Sequence, residues 1–311
     1  MHYVKPKVLI SKCIEFDACR YDGQIITNKN IAKLKQYINF ITVCPEVEIG
    51  MGIPRDPIRV INNKNKLSLY QRTTKKDYGS KMVDFSIKYL KSIDHIDGIL
   101  LKSKSPSCAI NTAKYYPDHD SKISMGTGPG LFAKQLMDQY PDIPKEEEVR
   151  LNDVYLREHF YISIFVIADY RKINNFQDLY KFHAKHKLLF MTYNQYKLKK
   201  LGQIAANHSE KNFSYIKEKY FNVLLKIFSR RPKYVSHINT QMHAYGFYKD
   251  KLSKKEKDYF LNLLSAYREK TIPVSALNSV LYAWNTRFEE EYLINQSYFS
   301  PFPKQLIESG K

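Results

Sequence analysis

Lys7-Val8-Leu9-Ile10-Ser11-Lys12-Cys13, Ile38-Asn39-Phe40-Ile41-Thr42-Val43-Cys44 and Ile99-Leu100-Leu101-Lys102, the last followed by Cys108, decide the fold of this chain. Each is a short apolar, β-like run that gives way to a loop, and each loop opens on or soon reaches a cysteine. If the runs are parallel strands of one α/β sheet, their carboxyl ends share an edge, which is where such sheets bind ligands. Three thiolates would then meet in one crevice. Cysteines this far apart in sequence do not make a zinc knuckle, which wants local pairs at short spacing. Three ligands point instead to a metal centre with one open coordination position. Inert, half-buried thiols are the alternative.

The chain has 311 residues, 43% of them hydrophobic, which is enough for two folded domains with real cores. No run of about 18 apolar residues occurs, so neither a signal peptide nor a membrane span is expected. Four cysteines are too few for a disulfide framework, and the expectation is a cytoplasmic protein with reduced thiols. The formal charge is +19. Residues 1–150 hold 24 basic and 17 acidic groups, residues 151–311 hold 26 and 14. A basic excess of this size attracts polyphosphate backbones, and 25 tyrosines add surfaces on which bases stack. Nucleic acid is the expected partner, with an anionic membrane surface as the alternative.

The first part of the chain alternates apolar and amphipathic runs, as an open α/β sheet does. Gly50-Met51-Gly52-Ile53-Pro54-Arg55-Asp56-Pro57 must be loop, and a helix is predicted from Ser80 to about Ile93. Gly126-Thr127-Gly128-Pro129-Gly130 opens an amphipathic helix, a weak signal for phosphate on backbone amides. Pro141-Asp142-Ile143-Pro144 reads as a domain join, with Glu146-Glu147-Glu148 beginning a helix. The division is residues 1–145 as an α/β domain with a mainly parallel sheet, and residues 146–311 as a basic, all-α helical domain. In the second, His183, Lys185, His186, Lys187, Lys199, Lys200, Arg230, Arg231 and Lys233 are the candidate RNA contacts. Lys and Arg reach phosphates while Tyr and His stack on unpaired bases.

Four motifs carry a family likeness. Ser11-Lys12-Cys13 with Cys19-Arg20-Tyr21-Asp22-Gly23, then Cys44-Pro45-Glu46 with Gly50, Gly52, Pro54 and Arg55, then Ser105-Pro106-Ser107-Cys108 resemble the thiouracil desulfidase family. The likeness extends through Gly130-Leu131-Phe132 to Glu146-Glu147-Glu148. The remainder resembles the helical domain often fused behind it, through Leu156-Arg157-Glu158-His159-Phe160, the run from Phe182 to Leu189, and Tyr298-Phe299-Ser300-Pro301-Phe302-Pro303. The fused form is similar to bacterial enzymes that remove sulfur from 4-thiouridine in tRNA. The resemblance implies a 4Fe-4S cluster on Cys13, Cys44 and Cys108 with one iron not bound by protein. It also implies Glu46 and Ser105 as the catalytic pair. Cys19 reads as a neighbour rather than a ligand. Where the family has Leu-Leu-Gly after its first cysteine, this chain has Ile14-Glu15-Phe16, which puts a charge on the expected cluster wall.

The implied partner is tRNA, with no membrane and no obligatory protein partner. Three readings compete with it. One is a desulfidase of free thiouracil or thionucleotides, another a non-catalytic iron–sulfur RNA-binding or sensing protein, and the third a zinc protein built on the same cysteines. For Glu46 the plain alternative is a loop carboxylate paired with Arg20 or Arg55, and for Ser105 a turn cap.

Overall fold

A computed structural model describes residues 3–64, 66–207 and 212–307. The chain divides into two compact units, Met1–Ala168 and Asp169–Lys311, so the division falls beyond the proline-rich join. The first unit holds nine strands among the described residues: β1 (Lys7–Ser11), β2 (Asn39–Val43), β3 (Ile58–Asn63), β4 (Lys66–Gln71), β5 (Lys76–Asp77), β6 (Gly98–Leu101), β7 (Ala113–Tyr116), β8 (Gly126–Gly128) and β9 (Lys145–Glu147). Its helices are α1 (Lys29–Leu34), α2 (Pro45–Glu48), α3 (Gly79–Lys91), α4 (Leu131–Gln139) and most of α5 (Val154–Arg171).

One sheet is parallel throughout, in the order β2-β1-β6-β9. Val8, Leu9 and Ile10 of the inner strand β1 are fully buried. Successive strand residues point to opposite faces, so burial of all three means that both faces are covered. On one face Gly98 of β6 lets α5 come close: a Cβ there would lie 2.6 Å from Ile164 Cγ2. Helices α3 and α4 pack together, with Phe85, Tyr89 and Phe132 in mutual ring contact. The parallel sheet and its shared edge are as the sequence predicts.

Two features differ. A second, five-stranded sheet in the order β5-β4-β3-β7-β8 has no counterpart in the sequence reading. The acidic triplet begins no α-helix. Glu146 and Glu147 are the end of β9, which pairs with β6, and Glu148 opens a short 3-10 turn. Both Glu147 and Glu148 are buried, at 2% and 3% exposure. Glu148 Oε2 accepts the Ser103 amide at 2.6 Å, while its Oε1 accepts Ser103 Oγ at 2.9 Å and pairs with Lys102 Nζ at 2.6 Å. Glu147 Oε1 accepts from the amides of Ile110 and Asn111 and from Thr112 Oγ1.

The second unit is helical in its described residues: α6 (Phe176–Tyr193), α7 (Gln195–Ala206), α8 (Phe213–Ile227), α9 (Tyr234–Gly246), α10 (Lys254–Arg268), α11 (Val274–Phe288) and α12 (Glu291–Ile294). Asn175, Asn194, Asn212 and Ser253 cap four of these helices with side-chain oxygens, and Ser253 with Glu256 forms a full capping box. Pro232 and Pro273 stand just before α9 and α11, as expected of helix breaks. No described helix is long and apolar enough to cross a membrane.

The buried carboxylate at 148 should matter far more than its neighbour. Replacing Glu148 with Ala strands the Ser103 amide and the Lys102 charge, and should cost about 3 kcal/mol in urea denaturation followed by circular dichroism. Glu146 pairs with the half-exposed Arg150, and Glu146→Ala should cost less than about 1 kcal/mol.

Candidate active site

The carboxyl edge of the parallel sheet opens into a cavity of about 380 Å³ that all four cysteines line. Cys13 follows β1 in a turn closed by the Ile14 amide on Ser11 O, and its carbonyl accepts from the Ile26 amide. Cys44 follows β2 and occupies the N-cap position of α2, whose first residue is Pro45, where a missing N–H costs nothing. Cys108 is reached through the loop from Lys102, whose two ends Glu148 and Glu147 hold. All four cysteines are reduced and at most 9% exposed.

Helix α4 closes that loop from behind. Its Leu131 and Ala133 amides are spent on the carbonyls of Pro106 and Ser107, and the Gly130 amide on Ala109 O. The glycine-rich segment therefore serves close approach rather than phosphate binding. A Cβ on Gly130 would lie 2.4 Å from the Ser107 carbonyl carbon and 2.8 Å from the Cys108 amide nitrogen.

The thiols form a connected set. Hydrogen bonding with Cys13 and then burial push the Cys19 thiol up to about 11, while Cys44 acts in the opposite sense. Hydrogen bonding with Cys19 and then burial raise the Cys44 thiol further still. Burial pushes the Cys108 thiol up to about 12, with the Ser11 hydroxyl working against it. Among the described residues no three His, Cys, Asp or Glu side chains converge to hold a single metal ion. Soft thiols spread around one cavity suit a polynuclear iron–sulfur centre, whose cysteines bind separate irons.

Glu46 lies on α2 beside Cys44 and is buried. Arg55 grips its Oε2 through Nε at 2.8 Å and through a terminal nitrogen at 2.6 Å. The same guanidinium donates to the carbonyls of Cys19 and Gly52 and lies 4.0 Å from the Cys44 sulfur. Burial works against the Arg55 charge, and Glu46 beside it more than compensates, so its pKa is raised. The other carboxylate oxygen, Oε1, accepts from Ser107 Oγ. Ser105 Oγ accepts the Cys108 and Ser107 amides at 3.0 and 3.3 Å and lies 3.2 Å from Ser107 Oγ. The contacts foreseen as plain alternatives, an Arg55 pair for Glu46 and a turn cap for Ser105, are thus present within the site itself. Ser107 stands in its motif without an expected role, because its contact with Glu46 closes only in the fold.

Glu15 departs from expectation. It has a left-handed φ of 68°, is not among the residues lining the cavity, and turns to the Asn28 amide and to Lys35. The cavity wall carries no charge from it.

Residues 8–148 match the family model described as 2-thiouracil desulfurase, and residues 187–303 match a second described as a protein of unknown function, DUF1722. The N-terminal part of the chain is thus similar to 2-thiouracil desulfurases and the C-terminal part to DUF1722 proteins. Among its relatives, the uncharacterized protein YbgA of Escherichia coli (strain K12) is 24% identical over 127 residues, 40% of this chain and 75% of YbgA. The uncharacterized protein YbbK of Bacillus subtilis (strain 168) is 27% identical over 154 residues, 47% of this chain and 99% of YbbK. A solved structure titled 4Fe-4S-dependent thiouracil desulfidase TudS is 24% identical, covers 50% of this chain and 98% of its own, and superposes with a TM-score of 0.38.

In the unit that carries the DUF1722 match, the candidate contacts separate into two groups. Lys187, Lys199, Lys200, Arg230, Arg231 and Lys233 are exposed, as is Tyr196. His183 is half-buried and His186 buried, each with its ring bonded inside the unit. His183 Nδ1 meets Tyr220 Oη at 2.9 Å, and burial followed by Lys187 pushes its pKa down to about 4. His186 is 2% exposed and bonds Ser297 Oγ at 2.7 Å and Asp169 Oδ2 at 2.9 Å. Lys185 is partly exposed and pairs with Asp169 at 2.7 Å. His237, beside Tyr298, is likewise pushed down to about 4 by burial.

Two measurements follow from these environments. His183 and His237 titrate near 6.5 once unfolded, so between about pH 6.5 and 4 the unfolded chain binds protons that the folded one refuses. Stability of the helical unit should fall as pH drops through that window, read by Trp284 fluorescence during thermal unfolding, and His237→Gln should flatten the slope. In the other unit, Gly130→Ala must push the Ser107–Cys108 backbone aside. A loss of about 1–3 kcal/mol is expected in denaturant titration.

Proposed function

We propose that the protein is an iron–sulfur-dependent desulfidase that converts 4-thiouridine in tRNA to uridine and hydrosulfide without net redox change. The observation that carries this reading is the common cavity: three strand ends deliver Cys13, Cys44 and Cys108 to it, and an Arg-clamped Glu46 opens beside them. A 4Fe-4S cluster held by those three cysteines would supply an iron without a protein ligand as a Lewis acid for the thiocarbonyl sulfur.

The chain's own residues handle water and protons. With Arg55 filling Oε2 and Ser107 donating to Oε1, one lone pair of Oε1 remains to take a proton from water. The oxygen of that water bonds to the ring carbon as the carbon–sulfur bond breaks, and sulfur leaves as hydrosulfide. Carbon and sulfur keep their oxidation states, so no electron donor is needed. The exposed Lys187, Lys199, Lys200, Arg230, Arg231 and Lys233, with Tyr196, support a phosphate-and-base contact on the helical unit. Such contacts offset the few kcal/mol needed to unstack a nucleotide in folded tRNA.

Anaerobic reconstitution with iron and sulfide, followed by the near-ultraviolet absorbance of 4-thiouridine in bulk tRNA and of free thiouracil, tests the reading. Loss of the tRNA signal with sulfide release is expected; turnover of the free base alone would reassign the substrate. Glu46→Gln should retain iron and lose about 10²–10⁴-fold in kcat. Ala at Cys13, Cys44 or Cys108 should abolish iron retention, whereas Cys19→Ala should keep it. Lys199→Glu with Lys200→Glu should raise KM for tRNA, make its salt dependence shallower, and leave free thiouracil turnover unchanged.

A further inference from the structure

The serine chain that ends on Glu46 has a direction fixed by its donors and acceptors. A carboxylate only accepts, and Glu46 is ion-paired with the Arg55 guanidinium. Ser107 Oγ therefore spends its single hydrogen on Glu46 Oε1. The 3.2 Å contact between the two hydroxyls then runs one way, with Ser105 donating and Ser107 accepting. Ser105 Oγ in turn accepts the amides of Cys108 and Ser107. The result is a polarised series from backbone amide through Ser105 and Ser107 to the carboxylate, in a site where each donor strengthens the next. Ser107 is wholly buried, so its hydroxyl has no competing solvent.

We propose that Ser107 is the positioning residue through which Ser105 acts on Glu46. Ser107 fixes the rotation of the carboxylate about its own axis, so that the remaining lone pair of Oε1 meets the cavity, and Ser105 reaches that carboxylate only by orienting Ser107. The inference rests on the desulfidase reading, in which Glu46 takes the proton.

The test is a double-mutant cycle in the reconstituted full-length protein, with kcat and KM measured on tRNA. Ser107→Ala should lower kcat about 10- to 100-fold, the worth of one hydrogen bond to a charged group, with KM and the iron and sulfide content unchanged. Ser105→Ala should lower kcat less, and adding it to Ser107→Ala should change nothing further beyond about twofold. Multiplying losses would overturn the proposal, because Ser105 would then act without Ser107. A second readout needs neither cluster nor turnover. The infrared carboxylate bands that distinguish the cluster-free wild type from Glu46→Gln should shift in Ser107→Ala, and an unshifted spectrum would also overturn it. Full turnover by Glu46→Gln would instead remove the function assigned to Glu46, while the infrared shift would still report whether Ser107 grips it.

Discussion

Two adjacent buried carboxylates at the end of the edge strand decide where the third cysteine goes. Between β6 and Cys108 the chain must leave the sheet and return, and its backbone amides there have no ladder partners. Glu148 takes the near end of that loop through Lys102 and Ser103, and Glu147 takes the far end through Ile110, Asn111 and Thr112. Carboxylates out of water cost several kcal/mol each unless donors surround them, and donated hydrogen bonds to a charged group are about twice as strong as neutral ones. The loop and the carboxylates therefore stabilise each other: each is costly alone. Gly130 completes the arrangement by letting the start of α4 sit against Ser107 and Cys108 where any side chain would collide.

The parallel core was legible because β1 and β6 are apolar runs, the pattern of strands covered on both faces, and the shared edge follows from parallelism alone. Strand β9 was not, since Lys145-Glu146-Glu147 carries no apolar residue and is a strand only because β6 offers it a ladder. The second sheet escaped for a related reason. Its β3 and β4 mix Arg, Asn, Ser and Gln with the apolar residues, and their antiparallel pairing is half-buried with a modest periodic signal. At the site, Cys44, Glu46 and Cys108 sit in recognisable motifs. The contact between Ser107 and Glu46 joins positions 61 residues apart, which no local spacing encodes.

The helical unit shows how a charge run misleads. His183, Lys185, His186 and Lys187 read together as one basic surface, yet Leu179, Phe182, His186 and Leu189 recur at helical spacing and are all buried. His186 belongs to that apolar stripe and is accommodated by Asp169 and Ser297 rather than by solvent. Burial lowers its pKa, so at neutral pH it is an uncharged ring donating Nε2–H to Asp169, and Lys185 supplies the charge opposite that carboxylate. Period outweighs composition here: residues three or four apart share a helix face, and adjacent ones do not.

Charge accounting inside the cavity links its folding to its proposed cargo. Of the cations that line it, Arg55, Lys102 and Arg20 are matched by Glu46, Glu148 and Asp22, and Lys104 is exposed. Ionising Cys44 and Cys108 would put further negative charge into a buried site: the hydrogen bond with Cys19 and then burial raise the Cys44 thiol, and burial raises Cys108. On the iron–sulfur reading the compensating charge arrives with the iron, so the thiols lose their protons as the metal binds. Before that they remain neutral and buried, the state in which a thiol is least nucleophilic and least easily oxidised. The same burial that delays ionisation thus preserves the ligands until the metal reaches them.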